Sequence, residues 1–260
     1  MYKKYTLNEE FFKEKNANSA YVLGWIISDG CLQIIPKKKY TIRLELKDLN
    51  ILENINRLLD SNAPIRERKD RGLYTLVINS KKLVRQLLDL GVVPAKTGRE
   101  VFPDFGEYNR DLIRGIFEGY GSVMVLNKKN NNNQLNSYIC SANRKLLEDI
   151  GEVIKNEIGA TPKIYEETVK EKPHYKLRYG AKESAAFYYY MYYENCEHLP
   201  RKKEIFEKGI SDGSGLGIAE CKVCGCRIVR TGSRQIYCKE CLVDVIKDRE
   251  RKRSRQRRAS

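Results

Sequence analysis

The chain has 260 residues, with 49 Lys and Arg against 34 Asp and Glu, a formal net charge of +15 and a pI near 9.4. The length allows one large or two small cores plus an appendage, and 41% hydrophobic with 10% aromatic residues predicts that most of it folds. The charge favours a polyanionic partner. No apolar run reaches the roughly 18 residues a membrane span needs, and neither a lipidation motif nor a strongly amphipathic basic helix supports binding at a membrane surface.

The opening "MYKKYTLNEEFFKEKN" has no apolar core of the signal-peptide kind, so a cytoplasmic protein is expected. Next comes "AYVLGWIISDGCL" at 20–32, an apolar helix in which Ala20, Gly24 and Ser28 recur every four residues. Residues four apart share a helix face, so a stripe of small groups runs along a bulky surface. "YTIRLELK" (40–47) alternates as a strand, with Ile42, Leu44 and Leu46 on one face. "NILENINRLLD" (50–60) is a helix, "GLYTLVINS" (72–80) a strand and "KKLVRQLLDLG" (81–91) a helix.

The pattern then repeats. "DLIRGIFEGYGSV" (111–123) is a second apolar helix whose small stripe is Asp111, Gly115 and Gly119. "GSVMVLN" and "SYICSA" read as strands and "RKLLEDIGEVIKNEIG" as a helix, followed by strands "PKIYEET" and "HYKLRYG". "KESAAFYYYMYYEN" closes the half as a helix, in which Tyr189, Tyr192 and Tyr193 would share a core-facing side rather than stack on bases. The run of asparagines at 130–133 is a hairpin tip. Each half is therefore αββαββα. A glycine inside a helix costs about 1 kcal/mol, so two in register predict that the long helices pack together through Gly24 and Gly115.

"SDGSGLG" (211–217) is a linker. Beyond it, Cys221-x2-Cys224 and Cys238-x2-Cys241 are separated by thirteen residues. Two such knuckles predict a closed four-thiolate zinc site. So small a module has too little core to fold without metal. Cys226 is a fifth, competing cysteine, and Cys31, Cys140 and Cys196 are scattered. The final "KDRERKRSRQRRAS" is the kind of charge run that is disordered in isolation; beside a zinc ribbon it would bind phosphates without sequence preference. Nuclear localisation is the alternative use of that run.

The stretches "LGWIISDG", "LGVVPAKTGREVFPDF", "LIRGIFEGYG" and "LPRKKEIFEKG", in that order, resemble the LAGLIDADG homing endonucleases with two motifs on one chain. The resemblance covers about residues 15–209. It implies an α+β fold with two pseudo-symmetric halves, whose curved antiparallel sheets form a DNA-binding saddle, plus the small zinc ribbon. The corresponding divisions are 1–99 and 100–210 for the halves, 211–219 for the linker, 220–243 for the ribbon and 244–260 for the basic tail. The implied activity is sequence-specific, Mg²⁺-dependent cleavage of double-stranded DNA by a monomer, of the homing and intron-associated kind. The alternatives on the same scaffold are a non-catalytic DNA-binding regulator and an RNA-splicing maturase.

By position in those motifs, the resemblance implies that Asp29 is the first Mg²⁺-binding carboxylate and that Lys96 and Lys202 are the lysines that balance phosphate charge; Lys203 competes with Lys202. Arg43, Arg66, Arg68, Lys163, Lys176 and Arg178 on the strands, and Arg255 and Arg257 in the tail, would contact DNA. Tyr120 stands where the second carboxylate belongs. A neutral phenol with a pKa near 10 is a poor Mg²⁺ ligand. Glu118, two residues back, points about 200° away and is not expected to replace it. The departure implies impaired or single-strand cleavage, or binding alone. High Lys, Asn, Ile and Tyr content suggests an AT-rich genome, bacterial or phage.

Overall fold

A computed structural model describes residues 5–36, 38–126, 134–169, 171–210, 218–229 and 235–259. Helix α1 (Ala17–Asp29) starts at Asn16, whose side chain accepts from the Ser19 amide at 2.9 Å while Ser19 Oγ accepts from the Asn16 amide. That reciprocal cap satisfies two amides that a helix start leaves free. Strands β1 (Gly30–Ile35) and β2 (Lys39–Leu46) follow, then α2 (Leu49–Leu58), β3 (Ile65–Arg68), β4 (Leu73–Asn79) and α3 (Lys81–Asp89).

A short 3₁₀ turn leads into α4 (Asn109–Tyr120), then β5 (Gly121–Leu126), β6 (Gln134–Ser141), α5 (Arg144–Ile158), β7 (Lys163–Val169), β8 (Lys172–Tyr179) and α6 (Ala181–Met191). The antiparallel sheets have matching orders, β1-β2-β4-β3 and β5-β6-β8-β7. The duplication read from the sequence is therefore a duplication of topology. The hairpin tip at 130–133 lies outside the described residues.

The halves meet along α1 and α4. A Cβ on Gly24 would lie 2.8 Å from both Gly115 Cα and the Ile116 nitrogen, and one on Gly115 would lie 3.0 Å from Gly24 Cα. Both neighbours are backbone, so neither can yield. Bulky helices stand about 8–10 Å apart; the glycines remove what would enforce that gap. Around this seam Trp25, Ile26, Ile27, Ile113, Ile116 and Phe117 are buried, continuous with the inward faces of both sheets.

Helix α4 also carries buried charge. Arg114 is 1% exposed, pairs with Asp111 at 2.7 Å and donates to the carbonyls of Met191 and Glu197. Glu118 accepts from Tyr21 Oη at 2.6 Å, Tyr192 Oη at 3.2 Å and the Leu199 amide at 2.9 Å. Its carboxylate thus ties α4 to α1 and to the segment before α7 (Pro200–Gly209).

Two expectations need correction. Tyr189, Tyr192 and Tyr193 do not share a face, because α6 ends at Met191 and Tyr192 is already extended. Tyr192 is in the core, Tyr189 is exposed, and the buried face belongs to Phe187, Tyr190 and Met191. The basic tail is helical: α8 runs from Lys239 to Ala259, joining the last cysteine knuckle to the arginine run without a break. The predicted linker at 211–217 lies outside the described residues, while 218 and 219 already belong to β9 (Ile218–Glu220), which pairs with β10 (Arg227–Val229).

Candidate active site and nucleic-acid interface

Helices α1 and α4 end side by side, and each passes straight into a strand. Gly30 and Gly121 take extended backbone there, and their amides still bond back to Ile26 and Phe117. The last residues of the two helices, Asp29 and Tyr120, therefore sit at equivalent places in the two halves. Gly119 has no side chain because a Cβ there would overlap Ser28 Oγ and Asp29 Oδ2. The Asp29 carboxylate lies against the end of the opposite helix.

Asp29 is open to solvent on one side and walled by protein on the others. That desolvation raises its pKa, opposed by a hydrogen bond with Ser28 and by the charges of Lys96 and Lys202. Lys96 Nζ donates to the Ser28 carbonyl at 2.8 Å, satisfying one of the carbonyls a helix C-terminus leaves free. Burial holds the Lys96 ammonium below its ordinary range, and Glu100 and Asp29 pull it back up.

Lys202, 6% exposed, occupies the corresponding place under α4. Its Nζ donates to the carbonyls of Phe117 at 3.0 Å, Glu118 at 2.6 Å and Gly121 at 2.6 Å. Desolvation and the neighbouring Arg201 push it down to about 8. Lys203 instead leans toward Glu207, 3.9 Å away. Each helix end, where the backbone leaves partial negative charge, thus receives one lysine, and both lysines act on Asp29.

Tyr120 does not face open solvent alone. Its hydroxyl donates to Glu100 Oε1 at 3.1 Å, its ring lies 6.0 Å from Lys96 Nζ, and burial with the nearby Glu100 and Asp29 charges raises its pKa. Glu100 is a site residue the sequence reading missed. It is 5% exposed, and its Oε2 is buried without a hydrogen-bond partner. Glu118 is committed to the core contacts already described. The donors at the helix ends are all oxygens, which suits a hard divalent cation.

Six of the eight predicted DNA-contacting residues share one face of each sheet. Cross-strand pairing puts Arg43 beside Cys31 and Val77, and Arg66 beside Thr75. In the second sheet Arg178 lies beside Lys163 and Tyr138, and Lys176 beside Cys140 and Tyr165. Ile42, Leu44, Ile139 and Leu177 alternate with them and are buried. Some of the cations are already paired: Arg68 with Asp70 at 3.2 Å and Glu45 at 3.8 Å, and Lys176 with Glu167 at 2.6 Å. Arg255 and Arg257 fall on α8, but their side chains lie outside those described.

The sulfurs of Cys221, Cys224, Cys238 and Cys241 all lie within 4.8 Å of one another. Cys224 and Cys238 are 3.9 Å apart, close to the roughly 3.8 Å edge of a tetrahedron with 2.3 Å zinc–sulfur bonds. The Cys238 and Cys241 amides point at knuckle sulfurs, at 3.3 and 3.4 Å. Cys226 remains exposed beside the cluster. The donor set fits zinc.

Two αββαββα units joined through paired helices, each with a four-stranded antiparallel sheet, have the architecture of the LAGLIDADG fold. Residues 16–90 match a LAGLIDADG-like domain. The body resembles the homing endonuclease I-DmoI in complex with DNA and calcium, at 20% identity over 74% of this chain and 97% of that one, TM-score 0.52. It also resembles the LAGLIDADG homing endonuclease I-LtrWI bound to target DNA, at 14% identity over 78% and 89%, TM-score 0.51. The meganuclease I-AabMI bound to uncleaved DNA is similar at 12% identity, with 75% and 89% covered and a TM-score of 0.50. No curated protein sequence matches the chain.

Proposed function

We propose that the protein is a monomeric, sequence-specific endonuclease for double-stranded DNA. The observation that carries this is the convergence of Asp29, Lys96 and Lys202 on the adjoining ends of α1 and α4. The two sheets carry arginines and lysines on their non-core faces, suited to phosphates and base edges in a groove.

Asp29 would hold Mg²⁺ with its exposed carboxylate. A bound divalent cation would supply an activated water and Lewis-acid stabilisation of the leaving oxygen. Lys96 and Lys202 would offset the negative charge that phosphates bring to two helix C-termini. With a neutral phenol at Tyr120, the halves are chemically unequal, which favours nicking over a double-strand break. The same substitution favours the second reading, a DNA-binding regulator that no longer cuts. The four cysteines would hold Zn²⁺ as a structural ion, and α8 would add phosphate contacts beyond the saddle. A maturase role would place intron RNA on the same faces.

Binding separates these partners. Duplex DNA should bind with a steep loss of affinity as salt rises, since each neutralised phosphate releases counterions. Arg43→Glu with Arg178→Glu should abolish the shift of duplex DNA in a gel, while Asp29→Asn leaves it intact. Tighter binding to structured intron RNA than to duplex DNA would contradict the reading.

A further inference from the structure

The motif that ends in Tyr120 has lost its carboxylate, yet the site has not lost its second acid. Residues 94–100 fold into a tight turn. The Arg99 amide bonds to the Lys96 carbonyl, Ala95 adopts a left-handed φ of 49°, and Gly98 one of 77°. Arg99 clamps the turn by donating to the Pro94 and Ala95 carbonyls. The turn sends Lys96 to the end of α1 and Glu100 to the end of α4. The Glu100 backbone is fixed at the start of α5, where the capping residue Asn143 donates from Nδ2 to its carbonyl at 2.6 Å.

A buried carboxylate oxygen is costly to leave without a partner, and such an atom at a site of converging charged groups calls for a ligand. Glu100 Oε1 is held by Tyr120; Oε2 is the unpartnered one. The charges of Glu100 and Asp29 both act on Lys96 and both act on Tyr120. The two acids thus sit around the same lysine and the same phenol, one from each side of the seam.

We infer that Glu100 supplies the second carboxylate of the cation site, through Oε2, with Tyr120 as the positioning residue that fixes Oε1. The ligand class is a hard divalent cation. The acid has moved from the helix end to the turn before the second motif, twenty positions earlier in the chain. This rests on Asp29 being the first carboxylate of that site, and the test keeps the two apart.

Terbium(III), a luminescent oxygen-preferring ion, is titrated into the zinc-loaded full chain and displaced with Mg²⁺. The readout is affinity, not cleavage. Glu100→Gln keeps the size and the acceptor for Tyr120; it and Asp29→Asn should each weaken the Mg²⁺-displaceable binding by about tenfold or more. If Asp29→Asn weakens binding and Glu100→Gln does not, the assignment of Glu100 is overturned and Asp29 stands. If neither does, both fall. Should Glu100→Gln unfold at the assay temperature, Glu100→Asp decides. It keeps the charge but withdraws the oxygens by one methylene, so weaker binding supports the inference and unchanged affinity overturns it.

Discussion

Lys202 shows how one side chain can be structural and chemical at once. Its three ammonium protons go to three carbonyls at the end of α4. Lys202→Met would take the buried donor from all three, leaving Phe117 only its bond from the Gly121 amide, at a cost of about 1–3 kcal/mol, seen as a lower urea midpoint. The pH dependence has a defined sign. Its pKa is about 8 in the fold against an ordinary 10.5, so the unfolded chain binds more protons between those values. Stability of the parent relative to Lys202→Met should rise as pH climbs from about 8 to 10.5 and be lost as pH falls back through 8. A difference that is flat across that window would show that the site does not depress Lys202. Asp29, Lys96 and Lys202 were legible because they lie in motif-like stretches. Glu100 was not, since nothing in "GREVF" reveals that a turn and Asn143 aim it at Tyr120.

At the scale of elements, the seam was the most legible feature. Recurrence of small residues at intervals of four, twice, needs little beyond helix geometry to predict close packing. Gly115→Ala should cost about 1–3 kcal/mol, toward the upper end because its Cβ meets backbone of α1 rather than a mobile side chain. Gly151→Ala in α5 is the control: its Cβ would meet only Leu177 at an ordinary 3.5 Å. Equal melting temperatures for the two variants would contradict the seam. The tyrosine run was misread for a local reason. Helical periodicity was extended past Met191, where the chain turns extended so that Tyr192 can reach Glu118. A contact 74 residues away in sequence decides that end, and periodicity cannot see it.

At the scale of the molecule, the sequence marked a boundary near 211 but not how the ribbon meets the body. Strand β10 packs near α5 and α6, and a cleft of about 790 Å³ between them is lined by Lys155, Glu183, Cys226 and Ile228. Chelation should release about one Zn²⁺ per chain and unfold the ribbon, while the body, with its own core, keeps its melting transition. Loss of both together would show that the body depends on the ribbon. Removing residues 244–260 should flatten the salt dependence of DNA binding without changing which site is preferred, because the arginine run would meet phosphates only.

The most direct test of the account is cleavage. A supercoiled plasmid carrying a duplex site that the protein selects from randomised DNA is incubated with the protein and Mg²⁺, alongside Asp29→Asn and Tyr120→Asp. The account predicts nicked product from the parent chain, none from Asp29→Asn, and no gain in linear product from Tyr120→Asp, which removes the phenol that fixes Glu100 Oε1. Cleavage that persists undiminished in Asp29→Asn would contradict it, because the chemistry would then lie away from the ends of α1 and α4.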